Sequence, residues 1–450
     1  MITSLGLIEM NTSIQVSKLG KRFDVKYHTS KNKQDYDSVS LRELKETIVR
    51  DPNCYGFKYS KIGNPIVRIS DMKQPFIDFS RVALISDEVH STFHKTQLKP
   101  FDILISVRGM STGKVSIFLG EFEKVNISPN VIIVRLKDIT LSPYITMVLI
   151  STIGQRQIHQ FLSGGGKPSL TAPMVNDIKI PLPSTEQLEQ INLLFNDAVS
   201  KRKNSKLILN EVNSIFDDEF KDIDLELSLT TSKVIKNLHT RWDAHFHNVA
   251  FYNLRMYLSK NINNCKNIED YGLELKESIK DLNAKDKIEY IEISSVNNLT
   301  GIIDSPKLNY PGLLPKSSKI EVENGTILIS KVRPYLNANT IIIKKSLSTR
   351  TVVSKNAFTV FDTSMSHYKY YLSAFLRSKV GLCQIEMYQS GTSYPTVSSQ
   401  DIKKIKIIQM NNKKMNLINT LYEEYLNIKL VEDFTTETIL ELIQDQESNK

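Results

Sequence analysis

Ile103-Leu104-Ile105-Ser106 is a short apolar run typical of a buried strand, and it returns as Ile327-Leu328-Ile329-Ser330, 224 residues further along the chain. Other pairs of short motifs occur in the same order, and their offset rises only from 219 to 227. They are Arg22-Phe23-Asp24 with Arg241-Trp242-Asp243, Arg68-Ile69-Ser70 with Glu292-Ile293-Ser294, Arg108 with Arg333, Ser128-Pro129-Asn130 with Ser354-Lys355-Asn356, Pro168 with Pro395, and Ile178-Lys179-Ile180 with Ile405-Lys406-Ile407. Because chance matches would not fall in order, the sequence predicts two copies of one structural unit.

The composition is that of an ordinary globular protein. The 450 residues are enough for two or three domains, and 40% of them are hydrophobic and 24% charged. The apolar runs are too short to span a bilayer and no secretory leader is visible, so we expect no membrane contact. Cys54, Cys265 and Cys383 are widely spaced without a CxxC pair, which indicates a reduced, cytoplasmic protein without a disulfide framework or zinc site.

The chain carries a net charge of +9, which permits binding to a polyanion through neutralisation of its phosphates. Many soluble proteins are mildly basic without any role in nucleic-acid binding. The charge by itself therefore favours DNA or RNA only slightly.

Each copy is predicted to end in a long amphipathic helix. Ser184, followed by Glu186-Gln187, is typical of a helix start, and apolar residues then recur at spacings of three and four. The first seam is Leu188, Ile191, Phe195, Ala198, Leu209, Val212 and Phe216, and the second is Met415, Ile418, Tyr422, Tyr425, Thr436, Ile439 and Ile443. Both seams are polar at the same place, Arg202 and Ser205 in one and Lys429 and Glu432 in the other. Such helices either pack on their own domains or pair with each other, and two matched seams favour pairing.

The remaining regions are predicted to be mixed α/β structure with many strands. Runs such as Ile66-Val67-Arg68-Ile69 and Asn130-Val131-Ile132-Ile133-Val134 are rich in β-branched residues, and residues 142–161 and 366–388 are predicted to be helical. The predicted fold is therefore mixed α+β, with two pseudo-repeated domains separated by two long antiparallel coiled-coil helices. The predicted boundaries are 1–183 and 225–410 for the domains and 184–224 and 411–445 for the helices.

Motifs for catalysis or metal binding are missing from the sequence. Gly164-Gly165-Gly166-Lys167 lacks the first glycine of a phosphate-binding loop, and Pro168 follows the lysine. His90 and His94 are four apart without the HExxH glutamate, so we predict a solvated pair, and we interpret His245 and His247 as structural. There is no Pro-Pro dipeptide for a base-flipping methyltransferase loop and no glycine-rich loop for S-adenosylmethionine. We therefore predict a non-catalytic protein without a metal site.

The candidate ligand-binding residues lie on loops at matching places of the two copies. Arg108 and Arg333 each follow a strand, where arginine can contact phosphate or guanine, and an ordinary salt bridge is an equally good interpretation. The loop that contains Lys167 returns as Ser390-Gly391-Thr392-Ser393-Tyr394-Pro395 with different side chains, as expected of surfaces that bind different ligands. The predicted DNA-binding residues are Arg108, Lys167, Lys331, Arg333 and Tyr394.

The sequence resembles the specificity subunit of type I restriction-modification systems over nearly its whole length. The resemblance is carried by the Gly-rich turn at residue 164, the strand that ends Ile180-Pro181-Leu182-Pro183, then Glu186-Gln187 and the long helix, all within a duplicated layout. It implies that each mixed domain is a target-recognition domain for one half of a bipartite DNA sequence. The helices would pair antiparallel, set the gap between the halves and dock methyltransferase subunits.

The same resemblance implies that the cofactors belong to partner subunits. Methyltransferase subunits would bring S-adenosylmethionine, and a restriction/translocase subunit would bring ATP hydrolysis and Mg²⁺. Two alternatives stay open from the residues alone. One is a duplicated DNA-recognition subunit of another methyltransferase-nuclease or phage-defence system, and the other is a cryptic nuclease.

Overall fold

The computed structural model describes residues 37–51, 53–162, 169–227, 241, 243–277, 279, 288–303, 307–309, 314, 319–343 and 350–448. They form two compact units. Unit 1 comprises the described residues up to Val199 together with those from Asp433 onward, and unit 2 comprises those from Ser200 to Glu432. The motif at residues 22–24, Trp242, and the glycine turn with Lys167 lie outside the described residues. No described helix is both long enough and apolar enough to cross a bilayer.

Unit 1 is built on sheets whose central strands are fully buried. Its strands are β1 (Ser38–Ser40), β2 (Lys45–Val49), β3 (Asn64–Val67), β4 (Met72–Lys73), β5 (Phe76–Ile77), β6 (Ala83–Ile85), β7 (Ile103–Ser106), β8 (Val115–Ile117), β9 (Asn126–Ile127), β10 (Val131–Leu136) and β11 (Lys179–Pro181). The main sheet has the order β2-β10-β7-β8-β5-β4, and smaller sheets have the orders β6-β3-β9 and β1-β11. The continuous apolar run in β7, flanked by turn formers, suits this central position because both of its faces are covered.

Unit 1 also has helices, most of which bury apolar residues in one core with the main sheet, the exception being the helix at 87–92. They are α1 (Leu41–Leu44), α2 (Asp87–Thr92), α3 (Ser142–Ile150), α4 (Thr152–Phe161), α5 (Ala172–Asn176) and α6 (Thr185–Glu219), and α6 continues into unit 2. Helix α6 begins where predicted, because the Gln187 N–H donates to the Ser184 Oγ at 3.1 Å and so satisfies a free donor of the first turn.

Unit 2 repeats this layout. Its strands are β12 (Cys265–Asn267), β13 (Leu273–Glu274), β14 (Ile288–Ile291), β15 (Lys307–Asn309), β16 (Lys319–Val322), β17 (Thr326–Ser330), β18 (Thr340–Ile341), β19 (Arg350–Ser354), β20 (Phe358–Asp362) and β21 (Lys406–Ile408). Its sheets have the orders β13-β20-β17-β18, β15-β14-β19-β16 and β12-β21. Its own helices are α7 (Val249–Lys260), α8 (Lys369–Arg377), α9 (Lys379–Met387), α10 (Ser399–Ile402) and α11 (Asn412–Ser448), of which α11 continues into unit 1.

Matching hydrogen bonds confirm the duplication. The buried Gln157 side chain bonds both main-chain groups of Lys179, at 2.9 and 2.8 Å, and Gln384 does the same to Lys406 at the same two distances. Equivalent tyrosine hydroxyls at 144 and 371 donate to the last carbonyl of β11 and of β21, at 2.9 and 2.6 Å. These contacts share an offset of 227 residues, so the two units have one architecture.

The predicted helices at 142–161 and 366–388 are each divided into two in the structure. Ser151 and Ser378 adopt extended backbone angles between the paired helices, and each hydroxyl donates to the carbonyl three residues earlier at 2.7 Å. Gly154 and Gly381 then bring the second helix against the end of the first, where an added Cβ would lie 2.4 and 2.0 Å from a carbonyl oxygen. Only glycine permits that approach.

The two long helices pair in both units, as predicted. In unit 1, Gln187 Nε2 donates to the Leu442 carbonyl at 3.1 Å. In unit 2, Lys414 pairs with Glu219 at 2.6 Å, and Arg202 lies 3.8 Å from Glu432. Because a later residue of α6 meets an earlier residue of α11, the helices of unit 2 are antiparallel.

Burial along the pair agrees with the predicted seams except at Leu188, which is half-buried, and at two positions where the preceding residue is buried instead. Ile208 is buried in place of Leu209, and Thr435 in place of Thr436. The polar positions of the two seams meet, since Arg202 and Lys429 both reach Glu432, which is 4% exposed. Arg202 is therefore part of the helix pairing in unit 2.

We expect Phe216→Ala to destabilise unit 2 by about 3–5 kcal/mol, because it removes a buried ring from a packed core. Phe216 is 3% exposed and packs its ring near Tyr371 and Phe375, with centroid distances of 6.1 and 6.2 Å. Chemical unfolding measures the loss. Leu207→Ala is the matched control on the same helix, because that side chain is 59% exposed, and it should change stability by less than about 0.5 kcal/mol. Equal losses in the two variants would contradict the packing described here.

Candidate nucleic-acid interface

In each unit a central strand ends beside a second loop, and the same two backbone hydrogen bonds join them. In unit 1 the Val107 N–H donates to the Asn130 carbonyl at 2.9 Å, and the Leu170 N–H donates to the Val107 carbonyl at 3.0 Å. These bonds fix the start of the Arg108 loop between two neighbouring segments.

Unit 2 has the same pair of bonds around Lys331. The Lys331 N–H donates to the Ala357 carbonyl at 2.9 Å, and the Val397 N–H donates to the Lys331 carbonyl at 2.8 Å. Lys331 is therefore the structural counterpart of Val107. One side chain is half-buried and charged, whereas the other is apolar and fully buried.

The predicted equivalence of Arg108 with Arg333 is wrong by one residue. Counting on from the matched pair places Arg108 with Val332 and Arg333 with Gly109. The backbone angles agree, because Gly109 (φ +86°) and Arg333 (φ +46°) both lie in the left-handed region. The two arginines align by residue identity in the sequence, but the backbone geometry of the loops matches Arg333 to Gly109. Arg333 therefore holds a conformation that costs a non-glycine residue about 1–3 kcal/mol.

In unit 1 a second arginine lies beside Arg108. Arg108 is exposed, and Arg50 comes from the end of β2 and donates its Nε to the Pro129 carbonyl at 3.2 Å. Partial burial and the positive charge of Arg108 lower the pKa of Arg50, although an arginine of this kind stays protonated at neutral pH. The hydroxyl of the exposed Tyr55 lies 3.4 Å from the Asn130 Oδ1. Two like charges held together beside an aromatic ring suit the binding of an anion.

In unit 2 an arginine stacks on an exposed tyrosine. The Arg333 guanidinium carbon lies 5.6 Å from the centre of the Tyr394 ring, and the Arg333 N–H donates to the Pro395 carbonyl at 2.8 Å. Stacking orients the planar guanidinium while its edge stays available for hydrogen bonds. Arg333 and Tyr394 are both exposed, so a ligand can reach the pair.

The loop that carries Tyr394 is closed by its own backbone. Ser390 and Thr396 exchange N–H to carbonyl hydrogen bonds of 2.8 and 2.9 Å across it. Gly391 has φ +89°, and a Cβ there would lie 3.0 Å from the Tyr394 carbonyl oxygen. The glycine thus permits the tight loop that presents the tyrosine.

A pair of lysines adds positive charge to the unit 2 loops. Burial of Lys331 and the nearby charge of Lys355 lower the pKa of Lys331. Lys355 is held by a hydrogen bond from its Nζ to the Lys276 carbonyl at 3.2 Å. Glu274 opposes the shift, but its carboxylate already pairs with Lys403 at 2.8 Å and with Lys276 at 3.1 Å. Unit 2 therefore keeps two lysines close together, as unit 1 keeps two arginines.

The structure brings Lys331, Arg333 and Tyr394 together on unit 2 and places Arg108 at the matching edge of unit 1. Lys167 lies outside the described residues. Sequence reasoning missed Arg50 and Lys355 as members of these clusters. Lys355 lay within one of the repeated motifs, whereas Arg50 is brought in from a different strand and carried no local signal.

His90, His245 and His247 each make a hydrogen bond within the fold. The prediction of a solvated pair is therefore wrong for His90. His90 is 8% exposed, with its Nδ1 2.6 Å from the Asn126 Oδ1, whereas His94 is exposed. His245 and His247 bond main-chain carbonyls at 2.8 and 2.7 Å, as the structural interpretation requires. Among the residues that the structure describes, no group of three or more His, Cys, Asp or Glu could hold a metal ion.

Comparison with known proteins gives a match to a family model that includes the loops of unit 1 but not those of unit 2. Residues 34–213 match the model of the type I restriction modification DNA specificity domain. The type I restriction enzyme MjaX specificity subunit of Methanocaldococcus jannaschii is 26% identical over 168 residues, which are 36% of this chain and 39% of that protein. The chain thus matches about two fifths of the length of this curated relative.

Solved structures give more distant similarities. The HsdS subunit from Thermoanaerobacter tengcongensis is 10% identical, with a TM-score of 0.30 over 92% of this chain and 97% of that one. The S subunit of a type I restriction-modification system from M. genitalium is 13% identical, with a TM-score of 0.34 over 93% and 96%. Similarity at this level does not bear on how the two units are arranged. The sequence match is the stronger finding: residues 34–213 of this chain are similar to the type I restriction modification DNA specificity domain.

Proposed function

We propose that this chain is the DNA sequence-specificity subunit of a type I restriction-modification complex, in which each unit binds one half of a bipartite DNA target. The observation that carries the proposal is that each unit has a cluster of cationic side chains on its loops, and that the two clusters lie at the same place in the two units. Residues 34–213 supply the first cluster and match the model of a DNA specificity domain, which supports the proposal. The second is built on the same backbone hydrogen bonds in unit 2.

The chemistry of the clusters suits duplex DNA. Arg108 with Arg50, and Arg333 with Lys331, can neutralise phosphates, which supplies affinity without sequence preference. Arginine also recognises guanine bidentately in the major groove, so Arg108 and the stacked Arg333 are the candidates for base contacts. Because the two clusters differ in every cationic side chain, the two halves of the target would differ in sequence.

The paired helices are proposed to act as the spacer and as the docking site for methyltransferase subunits. The antiparallel contacts within unit 2, from Glu219–Lys414 to Arg202–Glu432, support a stiff connection in place of a flexible linker. In this proposal the chain is not itself catalytic. Methyltransferase subunits with S-adenosylmethionine and a restriction/translocase subunit with ATP and Mg²⁺ perform the chemistry in the cytoplasm.

We expect the 450-residue chain to bind duplex DNA with a steep dependence on salt. Each phosphate that a cation neutralises contributes a slope of about −0.9 to the plot of log affinity against log salt concentration. Fluorescence anisotropy with labelled duplexes between about 50 and 200 mM salt measures this slope. A flat response, or magnesium-dependent cleavage by the chain alone, would rule out the proposed function.

We expect Arg108→Ala and Arg333→Ala to relax recognition in different halves of the target. A lost base contact costs about 1–3 kcal/mol at one position, whereas a lost phosphate contact weakens all sequences alike. Selection of binding sites from randomised duplexes reads out each half separately. Arg42→Ala is the control, because Arg42 is exposed and pairs with Asp177 at 2.7 Å, apart from the loop cluster. If both loop variants select the same sequence as the unaltered chain, these arginines do not read bases.

We expect Lys331→Val to stabilise unit 2 by about 0.5–2 kcal/mol and to weaken DNA binding. Valine is the residue that unit 1 has at the matching position, and it removes both the burial of a charge and the repulsion from Lys355. Chemical unfolding and the salt titration report the two effects. Lys413→Ala removes an exposed charge of unit 2 as the control and should change neither stability nor binding appreciably. Lower stability in Lys331→Val would show that the lysine is favourable in the fold.

A further inference from the structure

A cleft in unit 1 lies next to the Arg108 loop and is lined mainly by basic side chains. Its volume is about 480 Å³. The lining residues are Ile48, Val49, Arg50, His94, Lys95, Gln97, Leu98, Lys99 and Arg135. The cleft contains several cationic residues and no acidic residue in its lining, so a bound anion would be stabilised there.

One of the cleft arginines is already neutralised and fixes the cleft wall. Arg135 donates from Nη2 and Nε to the two carboxylate oxygens of Asp102, at 2.6 and 2.8 Å, and Asp102 is 1% exposed. Lys95 and Lys99 are exposed on the opposite segment, which follows α2. The positive charge available to a ligand therefore comes mainly from Lys95, Lys99 and Arg50.

Unit 2 is less basic than unit 1 at the matching positions. The Lys99 N–H donates to the Asp102 carboxylate at 2.7 Å, and the Glu323 N–H donates to the Thr326 hydroxyl at 3.2 Å, which matches Lys99 with Glu323. The pairing of neighbouring strands extends this match: Gln97 corresponds to Glu321, and Arg135 corresponds to Asp362. Glu321 is paired with Arg350 at 2.7 Å. The same registers match Lys95 with Lys319, and Arg50 with Lys276, which is paired with Glu274 at 3.1 Å. This surface of unit 2 therefore carries charges of both signs.

The cleft is continuous with the candidate interface through Arg50. This side chain lines the cleft and donates to the Pro129 carbonyl at 3.2 Å, next to Asn130, whose carbonyl accepts from the Val107 N–H at the start of the Arg108 loop. Neighbouring phosphates of one DNA strand are about 3.4 Å apart along the helix axis. A duplex that contacts Arg108 would thus bring several phosphates of the same strand toward the cleft.

We propose that the basic cleft of unit 1 binds phosphates of the DNA backbone next to the half-site that unit 1 reads, and that the matching, less basic surface of unit 2 makes fewer such contacts. The proposal rests on the proposed DNA-binding function and deepens it. Contacts to phosphates set position and affinity but carry no sequence information. Unit 1 therefore supplies more of the sequence-independent affinity than unit 2.

The experiment is a salt titration of the full chain that carries Lys95→Ala and Lys99→Ala together. Both side chains are exposed, so the fold should be unaffected, and thermal unfolding checks this. The slope of log affinity against log salt should become shallower by about one to two, because each lost phosphate contact removes about 0.9. Binding to the selected target and to a scrambled duplex should weaken by the same factor.

Two control variants distinguish the effect of losing the cleft lysines from the effect of changing the net charge of the chain. Arg42→Ala removes one exposed cation of unit 1 outside the cleft, and Glu323→Gln changes the matching surface of unit 2. Both should leave the slope unchanged. If the unaltered chain shows a steep slope and the double lysine variant keeps it, the cleft proposal fails while the proposed function stands. If the unaltered chain shows no salt dependence, the proposed function itself fails.

Discussion

The two hydrogen bonds between one buried glutamine and one strand residue tie each unit to its long helix. Gln157 holds Lys179, which lies in the strand that leads into α6, and Gln384 holds Lys406, which lies in the strand that leads into α11. An amide that is this buried is favourable only when its donors and acceptors are satisfied, so the strand cannot move without leaving it unpaired. The strand that leads into each long helix is therefore fixed to the body of its own unit.

Much of the fold could be predicted from the sequence because the repeat and the helix seams are properties of local spacing. The identical run in β7 and β17 located the duplicated strands, and the three-and-four spacing located the buried faces of α6 and α11. The prediction was less accurate where the side chains meet across the fold. Leu209 fitted the spacing, but Ile208 points inward, because the neighbouring surface decides which of two adjacent apolar residues is covered.

The candidate site was harder to predict because its members are far apart in the chain. Arg50 joins Arg108 through the order of the strands, and no motif marks it. The alignment of Arg108 with Arg333 failed for a related reason: identical letters suggested equivalence, whereas the left-handed backbone matches Arg333 to Gly109. Where the backbone is conserved between the units and the side chains differ, the two units can keep one fold and bind different ligands.

The return of α11 to unit 1 has a consequence for biosynthesis. Ile439 and Ile443 are buried in the same core as Ile191 and Phe195, although about 240 residues of chain separate the two segments. A ribosome adds about 5–20 residues per second, so this core would wait roughly 12 to 48 s for its last apolar side chains. During that time the apolar face of the first half of α6 has no partner from α11. The nascent chain would then depend on chaperones, or on rapid completion, to keep that face from binding elsewhere.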